Sequence, residues 1–135
     1  MNAKKLEDRF QVLASDAAHF SSQVADVLAS GGKGRSWLAA QNLEIARTVF
    51  GKWCIEIFVI LHNLGPIGFE GLRRGLGTIS PRVLSRKLKM MEGQGIVQRT
   101  LIDSHPPSVR YSLTSKGATV ARIGTPVFLF LSFRK

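Results

Sequence analysis

The chain has 135 residues, 44% of them hydrophobic and 21% charged, which is long enough for one domain with a buried core and unlike the composition of a disordered protein. Nineteen Lys and Arg residues against nine Asp and Glu residues give a net charge of +10, which favours a polyanionic partner. Because Cys54 is the single cysteine, an intramolecular disulfide and a thiolate metal cluster are excluded, and a reducing cytoplasm is expected.

The apolar segments do not predict a membrane protein. The longest ones, from Cys54 to Leu61 and from Pro126 to Phe133, are too short to span a bilayer. The N-terminus lacks the apolar core of a signal peptide. We therefore expect a soluble cytoplasmic protein that has no membrane partner.

The first segment predicts an amphipathic helix. Its apolar residues follow one another at alternating steps of four and three, which is a heptad seam: Leu6, Phe10, Leu13, Ala17, Phe20, Val24 and Val27. Ser30 to Gly34 is a glycine-rich break, so residues 1–35 are interpreted as a helical arm. The seam requires a partner, which is the chain's own body, a second copy of the chain, or both. Self-association is the favoured interpretation.

Two further helices are predicted before the basic part of the chain. Ser36 is interpreted as the N-cap of the first helix, which runs to about Phe50. Lys52 to His62 is apolar on almost every side, as expected of a central helix that its neighbours bury. Asn63 to Pro66 ends this helix. The apolar surroundings predict that Cys54 is an inert core residue rather than a reactive thiolate.

The next two helices carry the candidate binding residues. Phe69 to Leu76 predicts a short helix with Arg73 and Arg74 at its far end, followed by a tight turn. Ser80 can cap the second helix and is also a candidate binding residue, and Pro81 suits the first helical position. The second helix has two faces: an apolar stripe contains Leu84, Leu88 and Met91, and a polar face contains Arg82, Ser85, Arg86 and Lys89. A basic helix face is ordinarily just a solvated surface. The elements that flank this helix therefore decide whether the face is interpreted as a binding surface.

A β-hairpin is predicted directly after the basic helix. Ile96 to Ile102 and Val109 to Leu113 are the two strands, and two prolines stiffen the loop between them. Arg99 and Arg110 are expected to contact the phosphates of DNA, whereas His105 either contacts a phosphate or the minor groove or is simply a loop residue. Two helices joined by a tight turn and followed by a hairpin predict a winged helix-turn-helix.

The final segment predicts a helix that opens at Thr114 and Lys116 and is interrupted by Pro126. The apolar tail, residues 126–135, is expected to pack on the body or across a dimer. The predicted domains are therefore the arm (residues 1–35), a winged helix domain (residues 36–125) and the tail. The predicted fold class is mostly α with a small β-hairpin wing, and the arm is its N-terminal dimerisation helix.

A series of short motifs occurs in order between Leu43 and about Ile123. They include Phe50-Gly-Lys-Trp53, Leu64-Gly-Pro66, Ile79-Ser-x-Arg-x-Leu84 and Pro107-x-Val-x-Tyr-Ser-Leu-Thr114. Together they resemble the HxlR family of transcriptional regulators, relatives of the MarR type. The resemblance implies a dimeric winged helix-turn-helix that binds operator DNA and represses or activates nearby genes, often in response to small reactive compounds.

The resemblance also assigns roles to segments of this chain. It places the groove-reading helix on Ser80 to Met91, the phosphate-contacting helix on Phe69 to Leu76 and the wing on Arg99 to Arg110. Many members carry a redox cysteine shortly before the Gly-Lys-Trp motif, where this chain has about Gln41-Asn42, so the resemblance does not extend to that thiol switch. The arm lies outside the usual family length, which predicts a rearranged dimer.

The sequence therefore predicts a homodimeric, sequence-specific regulator that binds double-stranded DNA without a cofactor or metal. Residues 73–110 hold eight basic and two acidic residues, which is +6 of the net +10. Two alternatives stay open: an architectural protein that binds DNA of any sequence, and a winged helix used for protein contacts. Because His19, His62 and His105 are scattered, an enzyme is not predicted. Aromatic residues of the arm, the central helix and the tail leave room for a small-molecule effector.

Overall fold

The computed structural model describes residues 1–133. These residues form α1 (Ala3–Ser30), α2 (Arg35–Thr48), α3 (Cys54–Leu64), α4 (Phe69–Leu76), α5 (Pro81–Gly93), β1 (Val97–Ile102), β2 (Ser108–Leu113) and α6 (Ser115–Phe133). The two strands pair antiparallel and form the wing. This arrangement confirms the predicted fold class, a mostly helical winged helix-turn-helix. The chain divides into two compact units, Met1–Ile45 and the part from Ala46 onwards. The limits predicted for the arm, the winged helix domain and the tail stay predictions.

The first unit consists of α1 and most of α2. Asn2 caps α1, because its side-chain oxygen accepts a hydrogen bond of 2.9 Å from the backbone N–H of Lys5. Along the predicted seam, Leu13, Phe20 and Val27 are 47%, 59% and 72% exposed. The helix predicted for the arm is confirmed, and α1 buries none of its residues.

Two predicted helix starts are wrong by one or two residues. α2 begins at Arg35, so Ser36 lies within its first turn instead of capping it, and the N–H of Leu38 donates to the carbonyl of Gly34. α3 begins at Cys54 rather than Lys52, because Trp53 adopts a φ of 75° that a right-handed helix does not contain. In both cases the helix start depends on the backbone dihedral angles of one or two residues, which residue type alone does not determine.

The core of the second unit surrounds α3. Apolar residues of α3, α4, α5 and the start of the wing are buried together: Cys54, Ile57, Phe58, Leu61, Leu72, Ile79, Leu84, Leu88, Met91, Ile96 and Val97. The set includes the whole predicted stripe of α5. The sequence predicts burial of α3 on almost every side, but Ile55 and Val59 are 38% and 41% exposed. One side of the central helix is therefore open.

The turn between α4 and α5 has the features that the sequence predicts. Gly77 has a φ of +80°, which glycine adopts at little cost, and its N–H donates to the carbonyl of Arg73 over 3.1 Å. The hydroxyl of Ser80 accepts a hydrogen bond of 3.2 Å from the N–H of Val83, and Pro81 is the first helical residue. The predicted start of the basic helix is thus confirmed.

The base of the wing is fixed on both sides. β2 pairs with β1 along one edge, and on its other edge Tyr111 forms two backbone hydrogen bonds of 2.8 and 3.0 Å with Ile67, just before α4. The rings of Tyr111 and Phe69 lie 6.5 Å apart. The hairpin is therefore attached directly to the helix-turn-helix.

The start of α6 is attached to the turn after α5. The N–H of Thr114 donates to the carbonyl of Ile96 over 2.9 Å, and its hydroxyl accepts a hydrogen bond from the N–H of Gly117. The ammonium of Lys116 donates to the carbonyl of Gln94 over 3.0 Å. Gly117 is buried and packs directly against the carbonyl of Ile96.

The prediction that Pro126 interrupts the last helix is wrong. α6 continues through this residue to Phe133. Proline removes one backbone donor, so the carbonyl of Arg122 loses its usual partner, but the rest of the ladder continues. The hydroxyl of Thr125 donates to the carbonyl of Ala121 over 2.7 Å in the same turn.

Replacement of glycine by alanine is expected to have opposite effects on stability at two positions of α6. Gly117→Ala is expected to lower the free energy of unfolding by about 1–3 kcal/mol, because the added methyl group would overlap the backbone carbonyl of Ile96. Gly124→Ala is the matched control: its methyl group would meet no atom within 4 Å, and alanine in a helix is expected to add about 0.5–1 kcal/mol. Urea unfolding of both variants measures the difference, and equal stabilities would contradict the packing at Gly117.

Candidate nucleic-acid interface

The polar face of α5 is a continuous surface. Arg82, Ser85, Arg86 and Lys89 together line one shallow depression of about 340 Å³. Steps of three and four residues place them on one side of the helix, while Leu84, Leu88 and Met91 anchor the opposite side in the core. The structure thus brings together the four residues of α5 that the sequence selects.

The cations of this face are not neutralised by the protein itself. Arg82, Arg86 and Lys89 are exposed, and within residues 1–133 none of them forms an ion pair or a side-chain hydrogen bond. Their donors are therefore available to phosphates and to the edges of bases, and guanidinium groups suit both.

The two arginines of α4 differ from each other. Arg73 forms an ion pair with Glu70, with 3.0 Å between Nη2 and Oε2. Arg74 is exposed and has no such partner among the residues described. An exposed pair of this kind contributes only about 0–1 kcal/mol, so a phosphate can compete with Glu70 for Arg73.

The wing places its cations on opposite faces. Arg99 is opposite Tyr111 in the register and Arg110 is opposite Thr100, so the alternation of side chains directs the two arginines to different sides of the hairpin. His105 is exposed in the loop, where the hydroxyl of Ser104 donates to the carbonyl of Pro106 over 2.8 Å. The sequence marks these residues but does not show that they face apart, because that depends on the strand register.

Comparison with protein families identifies this arrangement. Residues 48–127 match the family described as HxlR-like helix-turn-helix, and this range contains α3, α4, α5 and the wing. The chain belongs to the HxlR-like family. The resemblance found in the sequence is confirmed, and the family match begins after α1 and almost all of α2.

Individual relatives of the HxlR-like chain are named as HTH-type transcriptional regulators. One from Halalkalibacterium halodurans is 42% identical over 73 residues, which cover 54% of this chain and 65% of the relative. YvaP of Bacillus subtilis is 39% identical over 82 residues, covering 61% of this chain and 76% of the relative. The chain spans just under two thirds of the length of the first of these relatives.

Solved structures of regulators have the same fold as this HxlR-like chain. A MarR-family transcriptional regulator from Enterococcus faecalis superimposes with a TM-score of 0.61 at 29% identity, over 70% of this chain and 84% of the other. The redox regulator HypR in its oxidized form gives a TM-score of 0.57 at 33% identity, over 67% of this chain and 90% of the other.

Within residues 1–133, no helix has both the length and the apolar character needed to cross a membrane.

The cysteine of this HxlR-like chain is a core residue. Cys54 is fully buried at the start of α3, and its Sγ lies 3.7 Å from the carbonyl oxygen of Thr48. Burial raises the pKa of the Cys54 thiol above its ordinary value, and this effect outweighs the opposing influence of Lys87. The raised pKa reduces the thiolate fraction at neutral pH, which agrees with the inert cysteine that the sequence predicts.

Alkylation of Cys54 is expected to be slow in the folded protein. Because the thiolate reacts and the pKa is raised, the rate at pH 8 should fall well below that of the urea-unfolded chain, and it should rise with pH. Mass spectrometry after timed exposure to iodoacetamide measures both rates. Equal rates in the folded and unfolded states would show that the thiol is accessible.

Proposed function

We propose that this chain is a transcriptional regulator that binds double-stranded DNA with sequence specificity and acts as a homodimer in the cytoplasm. The observation that carries the proposal is the polar face of α5, with Arg82, Arg86 and Lys89 exposed and unpaired within residues 1–133. The names of the HxlR-like relatives support it. No catalytic step is part of the proposal.

In the proposed complex α5 lies in the major groove. Arg82, Ser85 and Arg86 then contact base edges, and an arginine can form two hydrogen bonds to one guanine. Phosphate contacts fix the register of the helix on the duplex, and they come from Arg73, Arg74, Lys89, Arg99 and Arg110. His105 at the tip of the wing contacts the minor groove.

The seam of α1 supports the proposed homodimer. Leu13, Phe20 and Val27 are exposed at the spacing that two packed helices require. Covering a large apolar side chain contributes about 1.5–3 kcal/mol before ordering costs, so several such residues from each chain can hold a dimer together. A two-fold dimer would present two copies of α5 to successive major grooves about 34–36 Å apart.

Charge placed on the seam is expected to separate the dimer. The double variant Leu13→Asp and Phe20→Asp should shift the protein toward monomers in light scattering at low micromolar concentration, because buried carboxylates without partners are costly. Val12→Asp is the control, since Val12 is 60% exposed but lies off the seam. A double variant that stayed dimeric would place the interface in the second unit.

Footprinting on the promoter upstream of the chain's own gene tests the function. A protected segment that resists an excess of random DNA supports sequence-specific regulation. Protection that random DNA removes in proportion to its length would instead support the architectural alternative, for which the net charge of +10 suffices.

A further inference from the structure

The outer end of the wing carries an aliphatic side chain on each of its two faces. Leu101 is 67% exposed and Ile102 is 39% exposed, and these two residues end β1. Because they are neighbours in one strand, the alternation of side chains directs them to opposite faces of the hairpin. The wing therefore exposes apolar surface on both sides just before its loop, and neither side chain belongs to the core.

The side chains of the wing change in character from its tip toward its base. Asp103 and His105 are exposed in the loop, and the two aliphatic side chains come next. Arg99 and Arg110 follow, again exposed and one on each face. The minor groove of DNA has a corresponding order, with base edges at its floor, the carbons of the sugars in its walls and phosphates at its rims. A hairpin that enters this groove tip first therefore places each arginine beside the phosphates of a different strand.

The backbone of the wing is stiff enough to enter a groove without losing much conformational freedom. Its base is bonded to Ile67 through the backbone of Tyr111. In the loop, Pro106 and Pro107 restrict the backbone, and the hydroxyl of Ser104 donates to the carbonyl of Pro106. A segment whose backbone is already fixed loses less entropy when it binds.

A hairpin with side chains on both faces is wider than an undistorted minor groove. One sheet layer with its side chains is about 10 Å thick, because stacked sheets pack about 10 Å apart. The minor groove of B-form DNA is about 6 Å wide. The groove must therefore open by about 4 Å before Leu101 and Ile102 can lie against its two walls.

The charge at the tip of the wing also favours a wide groove. Asp103 is exposed at the start of the loop, and it forms no ion pair within residues 1–133. In A-tracts the minor groove is narrow and its negative potential is enhanced, which attracts arginine and repels a carboxylate. Both arginines of the wing lie behind the tip, so the group that would enter a narrow groove first is the one that the groove repels.

We propose that the wing selects DNA by the width of its minor groove, because Leu101 and Ile102 pack against the sugar walls of the two strands. The proposal rests on the proposed function, since it takes the complex of α5 with DNA as given. Base pairs beneath the wing are then selected for the ease with which their minor groove opens. Stiff A-tracts are disfavoured and flexible TA steps are favoured, although the wing reads no base edge to distinguish them.

The first experiment compares two duplexes of equal composition. Hydroxyl radicals, which cleave at sugars in the minor groove, locate the segment of the footprinted site beneath the wing. That segment is replaced by an A-tract or by alternating TA steps, which present the same acceptors in the minor groove. The alternating duplex is expected to bind about five- to tenfold more tightly. Equal affinities, or tighter binding of the A-tract, would overturn the proposal.

The second experiment removes the apolar contact. Leu101→Ser is expected to weaken binding to the alternating duplex about tenfold and to reduce the preference over the A-tract. The salt slope should not change, because no charge is lost. Ile102→Ser should reduce the same preference from the other face. Leu64→Ser is the matched control, since Leu64 is 66% exposed and lies outside the wing, and it should change neither quantity.

The possible results separate the role of the wing from the proposed function. Behaviour of Leu101→Ser like that of Leu64→Ser would overturn the proposal while leaving the proposed function intact. A preference for TA steps in random duplexes, without any footprint, would refute sequence-specific regulation and support the role of the wing. Conversion of dimers to monomers by Leu101→Ser would make the wing an interface between copies and overturn the proposal. Absence of binding to every duplex would overturn both.

Discussion

Raising the salt concentration from about 50 to 200 mM is expected to weaken the binding of one protomer to a half-site by about 500-fold. Five cations per protomer are assigned to phosphates: Arg73, Arg74, Lys89, Arg99 and Arg110. Each neutralised phosphate contributes about −0.9 to the slope of log affinity against log salt, which gives a slope of about −4.5. The monomeric variant with Leu13→Asp and Phe20→Asp allows the measurement on a half-site duplex by fluorescence anisotropy.

Single substitutions test which cations contribute to the slope. Arg110→Ala should reduce its magnitude by about one unit. Arg122→Ala is the control, because Arg122 is an exposed cation on α6 that donates to the hydroxyl of Thr119 and is not assigned to DNA. Arg73→Ala should have a smaller effect than Arg74→Ala, since Arg73 must give up its ion pair with Glu70. A flat salt dependence would rule out nucleic-acid binding by this surface.

Arg86→Ala is expected to remove most of the discrimination at one base pair. A two-bond contact between arginine and guanine contributes about 1–3 kcal/mol, which is about 5- to 150-fold in affinity. Arg86 lies near the middle of α5 and is exposed, so it is better placed than Arg82 to reach a base. Competition binding with the footprinted site and with single-base variants of it measures the loss.

Lys87→Ala is the matched control for Arg86→Ala. Lys87 is also a cation of α5, but it is half-buried and close enough to Cys54 to influence that thiol. Its removal changes the net charge equally and should leave base discrimination intact. If Arg86→Ala bound the footprinted site and random DNA as the wild type does, α5 would not be the reading helix.

Local signals in the sequence were enough to predict the helix-turn-helix. Ser80 and Pro81 define the start of α5 through a side chain and a ring that act on their own backbone, and the spacing of Leu84, Leu88 and Met91 defines its inner face. The face with Arg82 and Arg86 follows from the same period. These features need no information about distant parts of the chain.

The features that the sequence did not reveal depend on distant contacts. An apolar groove between α3 and α6 exists only because these two helices meet. The open side of α3 at Ile55 and Val59 appears in the sequence as part of a uniformly apolar helix. The opposite directions of Arg99 and Arg110 depend on strand register. The helical path through Pro126 contradicts the local rule for proline.

The pair of hydrogen bonds between Ile67 and Tyr111 has a consequence for the kinetics of opening. This pair closes a loop of chain that contains α4, α5 and β1, so its amide protons can exchange with solvent only when the wing separates from the start of α4. The helix-turn-helix and the wing should then open as one cooperative unit rather than in turn. In the proposed complex both contact surfaces would then meet DNA already at a fixed spacing. Bound DNA should slow the exchange of the Ile67 and Tyr111 amides, although neither residue is assigned to a DNA contact.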